Sequence, residues 1–187
     1  MVAVNWEYLV AALQWYEARD YKRVNLPWHA SLDGIQSTLD DLGRAYELRD
    51  LGLLVGSAEQ SFVDALMNGT LGQGKFVSLT PCFRKEPVFD ATHHPYFMKV
   101  ELFDTNAYDG RDFEIALDAR TFMTEISGIS PDIVPTGIGY DLEIDGVEVG
   151  SYSSRKYKGY EWTCGTGIAE PRFSIAISSS QKNIDNN

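Results

Sequence analysis

The chain is poor in cysteine and histidine and contains no long hydrophobic run. Its 187 residues include two cysteines, Cys82 and Cys164, and three histidines. Two thiols exclude a disulfide framework and a four-cysteine zinc site. His93 and His94 are adjacent, with no third ligand at metal spacing, and read as loop residues. No apolar run approaches the about 18 residues of a membrane span. The N-terminal stretch MVAVNWEYLVAALQWYEARD has no leading positive charge and is interrupted by Glu7, unlike a signal peptide. These absences point to a cytoplasmic protein in a reducing compartment, without membrane contact. Positive charge is also scarce: 16 Lys and Arg stand against 27 Asp and Glu, a formal net charge of −11. The acid excess runs through every third of the sequence, so no basic arm exists to neutralise nucleic-acid phosphates. The densest positive cluster is Arg155, Lys156 and Lys158, expected on a solvated turn. A Walker lysine motif and a complete dinucleotide fingerprint are both missing.

What is present is ordinary globular composition, 44% hydrophobic and 23% charged, long enough for a substantial core. Apolar spacing predicts helices over 5–18, 59–67 and 112–126, and a short helix near 35–43 after an Asp33-Gly34 turn. Alternation predicts strands over 21–26, 51–55, 75–83, 97–103, 138–144, 147–152 and 160–164. Asp145-Gly146 between two alternating runs is a hairpin signal. Gly165-Thr166-Gly167 is expected to lead into a final helix. No repeat or linker divides the chain, so residues 1–177 read as one domain and 178–187 as a flexible tail. The expected class is α+β, an antiparallel β-sheet flanked by helices.

Chemistry-bearing residues gather on paired strands. Arg84 and Glu86 end one strand, and Phe97, Lys99 and Glu101 share one face of the next. An arginine forks a phosphate, an aromatic face stacks a planar ring, and a glutamate accepts from an amine. The same pattern also suits an exposed sheet face with cross-strand salt bridges. Glu143, Glu148 and Ser151 converge if the hairpin is right, offering oxygens for Mg²⁺ or simply an acidic hairpin. The glycines at 165 and 167 can present N–H groups to an anion, with Arg172 beyond them.

The order GSAEQ (56–60), CFRKE (82–86), FMKVELF (97–103), an acidic hairpin and CGTGIAEPR (164–172) resembles the catalytic core of class II aminoacyl-tRNA synthetases. The seryl-tRNA synthetase type is the nearest form. The first helix and YKRVNLPW resemble that class's first motif, which ends at a proline, here Pro27, so the resemblance spans roughly residues 8–175. It implies ATP, Mg²⁺ and an amino acid as ligands. Arg84 would hold the α-phosphate and stabilise the transition state, Glu86 would accept from the adenine amine, and Phe97 would stack on the adenine. Arg172 would cover the other adenine face and reach the γ-phosphate. Glu148 and Ser151 would bind the metal and phosphates. Ser57 and Glu59 match the segment holding the substrate amino group, and Glu101 would lie at the side-chain pocket. The resemblance further implies a homodimer through the first motif, where Trp15, Tyr16, Leu26 and Trp28 supply apolar surface for that contact or simply pack into the core.

Activation of a carboxylate by ATP needs positioning and charge neutralisation more than a nucleophilic side chain, so the lack of a Ser-His-Asp triad fits. Departures from the family narrow the reading. His93 stands near the place of an arginine late in the second-motif loop, that loop is short, and separate tRNA-binding modules are missing. The residues around Trp162-Thr163-Cys164 differ from the serine-specific pattern, leaving Cys164 as a pocket residue or a metal ligand, and Cys82 resembles a buried strand cysteine of the family. The expected activity is adenylation of an amino acid with transfer to a non-tRNA acceptor, such as a carrier protein or small amine. The alternatives are a non-catalytic paralogue sensing nucleotide or amino acid, and a tRNA-charging enzyme whose partner supplies the RNA contacts.

Overall fold

A computed structural model describes residues 3–90 and 93–185, the side chains of 184 and 185 excepted. Helix α1 (Trp6–Glu17) begins where the Asn5 side chain accepts from the backbone N–H groups of Glu7 and Tyr8. Its buried face presents Leu9, Ala12, Leu13 and Tyr16 at helical spacing. Strand β1 (Lys22–Arg23) follows and pairs over two residues only, shorter than the predicted 21–26. The chain then leaves that edge to form β2 (His29–Ala30).

Helix α2 (Leu32–Gln36) contains Asp33 and Gly34, so the expected turn is a helix start. Ser31 decides this: its Oγ accepts from Gly34 N at 3.1 Å, and Asp33 places negative charge in the first turn. The helix expected near 35–43 is reduced to a 3₁₀ turn at Leu42–Arg44. Strands β3 (Glu47–Leu48) and β4 (Gly52–Leu54) join β2 in a small sheet ordered β2-β4-β3. Helix α3 (Ala58–Met67) is capped by Ser57 and runs as the sequence predicts.

The main sheet contains β5 (Lys75–Phe83), β6 (Tyr96–Asp104), β7 (Asp132–Pro135), β8 (Tyr140–Ile144), β9 (Val147–Tyr157) and β10 (Tyr160–Glu170). With β1 it has seven strands in the order β1-β5-β6-β10-β9-β8-β7. Among the described residues, only the β1–β5 pairing of this sheet is parallel. Helix α4 (Arg111–Ser127) bridges β6 and β7, and α5 (Arg172–Asp185) ends the chain, continuing through the stretch read as a tail. The architecture is the expected α+β: a mostly antiparallel sheet with flanking helices. Asp145 and Gly146, with φ of 49° and 77°, turn the β8–β9 hairpin as a type I′ pair.

One face of the sheet is closed by α1, α4 and α5 over a core that includes Leu9, Tyr16, Val100, Leu102, Phe122, Tyr152 and Ile168. The opposite face carries α3, whose Phe62 stacks on Phe103 with ring centroids 4.7 Å apart. Trp162 stacks with Phe103 at 6.1 Å. This aromatic cluster fills one end of that face and leaves the other end open. Among the described residues, no helix is long and apolar enough to cross a membrane.

The residues assigned to a dimer contact fall in different environments. Tyr16 is wholly buried, so its role is core packing, which corrects its place in that set. Its hydroxyl reaches the Gly167 carbonyl at 3.1 Å. Trp15 lies half-buried under the Arg19 guanidinium, Leu26 half-buried beside the aromatic cluster, and Trp28 is exposed.

Candidate active site

Two-residue alternation selects what faces the open end of the sheet. On β6 these are Phe97, Lys99 and Glu101, while Val100 and Leu102 point into the core. Glu101 stands opposite Thr166 on β10, Cys164 opposite Ser153 on β9, and Trp162 opposite Arg155. The cleft over these strands has a volume of about 310 Å³ and is walled by the segment before α3, the end of β5 and the start of α5. It receives every residue to which the resemblance assigns ATP, Mg²⁺ or the amino acid: Ser57, Glu59, Arg84, Glu86, Phe97, Glu101, Glu148, Ser151 and Arg172. Glu143 stands opposite Glu148 across a bulged register but does not line the cleft, so the expected three-oxygen group is reduced to Glu148 and Ser151.

At the mouth, Arg84 donates from Nε to the Gly56 carbonyl at 2.9 Å, and its guanidinium carbon lies 5.2 Å from the centre of the Phe97 ring. Glu86 accepts from Arg44 at 2.7 Å. Arg172, the first residue of α5, pairs with Glu148 at 3.4 Å. His93 Nδ1 lies 3.0 Å from Asp90 at the cleft edge. Arg44 and Lys99 are cleft residues that the resemblance does not assign.

The inner end is buried, and its basic and acidic side chains stand in pairs. Ser57 Oγ donates to Glu101 Oε2 at 2.5 Å, and Lys99 Nζ donates to the same oxygen at 2.8 Å. Burial, helped by repulsion from Glu59, raises the Glu101 carboxyl above the usual carboxylate range, while Lys99 opposes the rise. Burial also works against the Lys99 charge, but Glu101 outweighs it and keeps the ammonium protonated. Glu59 Oε1 accepts from Trp162 Nε1 at 2.7 Å and lies 3.4 Å from Arg155 Nε. Cys82 and Cys164 are both free and buried, and burial raises the Cys82 thiol to about 11. Cys164 lines the cleft, yet among the described residues no group of three or more His, Cys, Asp or Glu is arranged to hold a metal.

Two expectations are corrected. Gly165 and Gly167 lie inside β10, not at a helix start, so they offer no N-terminal anion site. A side chain at 165 would place its Cβ 2.1 Å from the Tyr152 ring, and one at 167 would stand 2.8 Å from the Tyr16 ring. The glycines make room for core tyrosines. Arg155 is not on a solvated turn: β9 extends to Tyr157, and alternation turns Arg155 into the cleft while Lys156 pairs outward with Glu161. Counting alternation onward from Ser151 would have found it.

No family model matches the chain, and no curated protein matches it. Solved structures do. A pyrrolysyl-tRNA synthetase from Desulfitobacterium hafniense superposes with a TM-score of 0.75 at 14% identity, over 94% of this chain and 69% of that one. Seryl-tRNA synthetase from Pyrococcus horikoshii, complexed with ATP, gives 0.70 at 20% identity, over 89% of this chain and 48% of that one. Cytoplasmic serine-tRNA ligase from Naegleria fowleri, in complex with AMP, gives 0.69 at 15% identity, over 91% and 53%. The chain thus spans about half the length of these two seryl enzymes. It has the fold of a class II aminoacyl-tRNA synthetase catalytic core.

Proposed function

We propose that this chain activates an amino acid with ATP, forming an aminoacyl adenylate and pyrophosphate. The observation that carries the reading is the gathering of Arg84, Glu86, Phe97 and Arg172 around the mouth of one cleft whose buried inner end holds Ser57, Glu59 and Glu101. A triphosphate suits the mouth: two guanidiniums supply forked donors, Phe97 supplies a ring face, and Glu86 an acceptor for an amine. In the reaction a substrate carboxylate oxygen bonds to the α-phosphorus as the bond to pyrophosphate breaks. Arg84 would neutralise charge on that phosphorus centre, and Arg172 would bind the departing phosphates. Glu148 and Ser151 have the hard oxygen donors Mg²⁺ prefers, and the bound ion would supply further neutralisation of the phosphates. Ser57, Glu59 and Glu101 would orient the substrate ammonium, so that positioning supplies much of the rate.

The acceptor in this reading is a carrier protein or small amine. The dispersed acidic charge favours these over direct capture of tRNA phosphates. The working form is a cytoplasmic homodimer with residues 1–177 as the catalytic unit. Pyrophosphate exchange into ATP, screened over the amino acids, tests the activity. Exchange with one amino acid, reduced about 100-fold or more in Arg84→Ala, is the expected result; absence of exchange with every amino acid would refute it.

A second reading, a non-catalytic sensor of nucleotide or amino acid, is favoured by the internal contacts of the same residues. Glu86 is engaged by Arg44, Glu148 by Arg172, and the Phe97 ring by Arg84. Calorimetric binding of ATP or an amino acid without Mg²⁺-dependent pyrophosphate release would select this reading.

A further inference from the structure

At the inner end of the cleft the guanidinium of Arg155 is only partly engaged. Arg155 uses its Nε toward Ser153 Oγ at 3.0 Å and Glu59 at 3.4 Å. The guanidinium also bonds the Cys164 thiol, and its two terminal nitrogens donate no hydrogen bond to an oxygen of the described residues. Glu59 Oε1 already receives the Trp162 indole and faces Arg155. Beyond lies the Phe62–Phe103–Trp162 stack. A guanidinium carries five N–H groups in a fixed fork that fits a carboxylate or amide oxygen.

We infer that the cleft selects amino acids whose side chain ends in a carboxylate or carboxamide, held by the terminal nitrogens of Arg155. The inference rests on the adenylation reading for the substrate's direction. Its reacting carboxylate points to Arg84 at the mouth and its ammonium to Ser57, Glu59 and Glu101. The side chain can then reach Ser153, Arg155 and Cys164, which line the wall beside Glu59. A basic side chain would meet Arg155 as a like charge. An apolar one would leave the guanidinium desolvated without a new acceptor. Lys99 does not compete for the side chain, because Glu101 and Ser57 already surround its ammonium.

The test is pyrophosphate exchange with aspartate, asparagine, glutamate and glutamine against alanine, serine, leucine and lysine. One or more of the first four is expected to exceed all of the second group by about 100-fold, since a site built to hydrogen-bond rejects analogues lacking the acceptor. Arg155→Met is expected to remove that margin, and Arg155→Lys to retain part of it, with circular dichroism confirming that both variants fold. Exchange confined to the second group, or a margin unchanged in Arg155→Met, overturns the inference and leaves the adenylation reading intact. Exchange with none of the amino acids overturns the adenylation reading. Calorimetric titration of the same eight amino acids then decides the inference separately, because binding needs no turnover. Loss of aspartate-type binding in Arg155→Met upholds it, and binding of none of the first four refutes it.

Discussion

The indole Nε1 of Trp162 donates to Glu59 Oε1 at 2.7 Å, joining β10 to the first turn of α3 across 103 positions of sequence. The bond fixes a wholly buried aromatic and a buried carboxylate together, so the floor of the cleft and its wall are positioned by one contact. Trp162→Phe keeps most of the apolar volume but removes the donor. We expect it to destabilise the fold by about 1–3 kcal/mol, measured by urea unfolding, because Glu59 loses a partner while buried. Unchanged stability would show that the bond is dispensable.

Gly165 is expected to tolerate no side chain. Its Cβ would meet Tyr152, which is itself buried and held by a 2.6 Å hydrogen bond to the Thr166 carbonyl. Gly165→Ala should therefore cost about 1–3 kcal/mol through overpacking, read from the unfolding midpoint. A conformational glycine effect is not involved, since the residue is extended within β10.

Glu170 gives a pH dependence of defined sign. Burial raises its carboxyl above the usual glutamate range, and the Ser174 hydroxyl and Asn5 N–H oppose the rise. The folded protein then binds this proton more tightly than the unfolded chain does. Its contribution to stability is complete below about pH 4.3, the ordinary glutamate value, and is lost as pH rises through the elevated folded value. The difference in unfolding free energy between the wild type and Glu170→Gln should thus fall as pH increases across that window. A difference that is flat or rises with pH would contradict the assignment.

The two thiols should be inert in the folded protein. Burial holds Cys82 at about 11 and raises Cys164 well above its ordinary value, the nearby Glu59 adding to the effect. The thiolate is the reactive form, so labelling with a thiol reagent at pH 7.5 should be negligible in native protein and reach both groups after denaturation. Rapid native labelling at Cys164 would reveal an opening of the cleft floor.

Local chemistry carried much of the fold. Helical spacing in 5–18, 59–67 and 112–126, alternation in 75–83 and 97–103, and Asp145-Gly146 each act within a few residues, and each matches an element of the structure to within about a residue. The same is true of the cleft set, since alternation places Phe97, Lys99 and Glu101 on one face whatever they pack against. At Leu32–Gln36 the Ser31 cap prevails over the Asp33-Gly34 turn signal, because its hydroxyl satisfies the Gly34 N–H at the helix start.

Local pattern alone therefore carries the α+β class, the strand faces and most of the residues that line the cleft. The tertiary structure alone decided how they are paired. Arg155 joins the cleft because β9 continues past Tyr152 in register with Trp162. Gly165 and Gly167 serve two tyrosines from distant elements, Tyr152 and Tyr16. Glu148 meets Arg172 only where the hairpin passes the start of α5. These contacts depend on sheet order and register across long sequence separations, and a residue's local pattern holds no record of its distant partner.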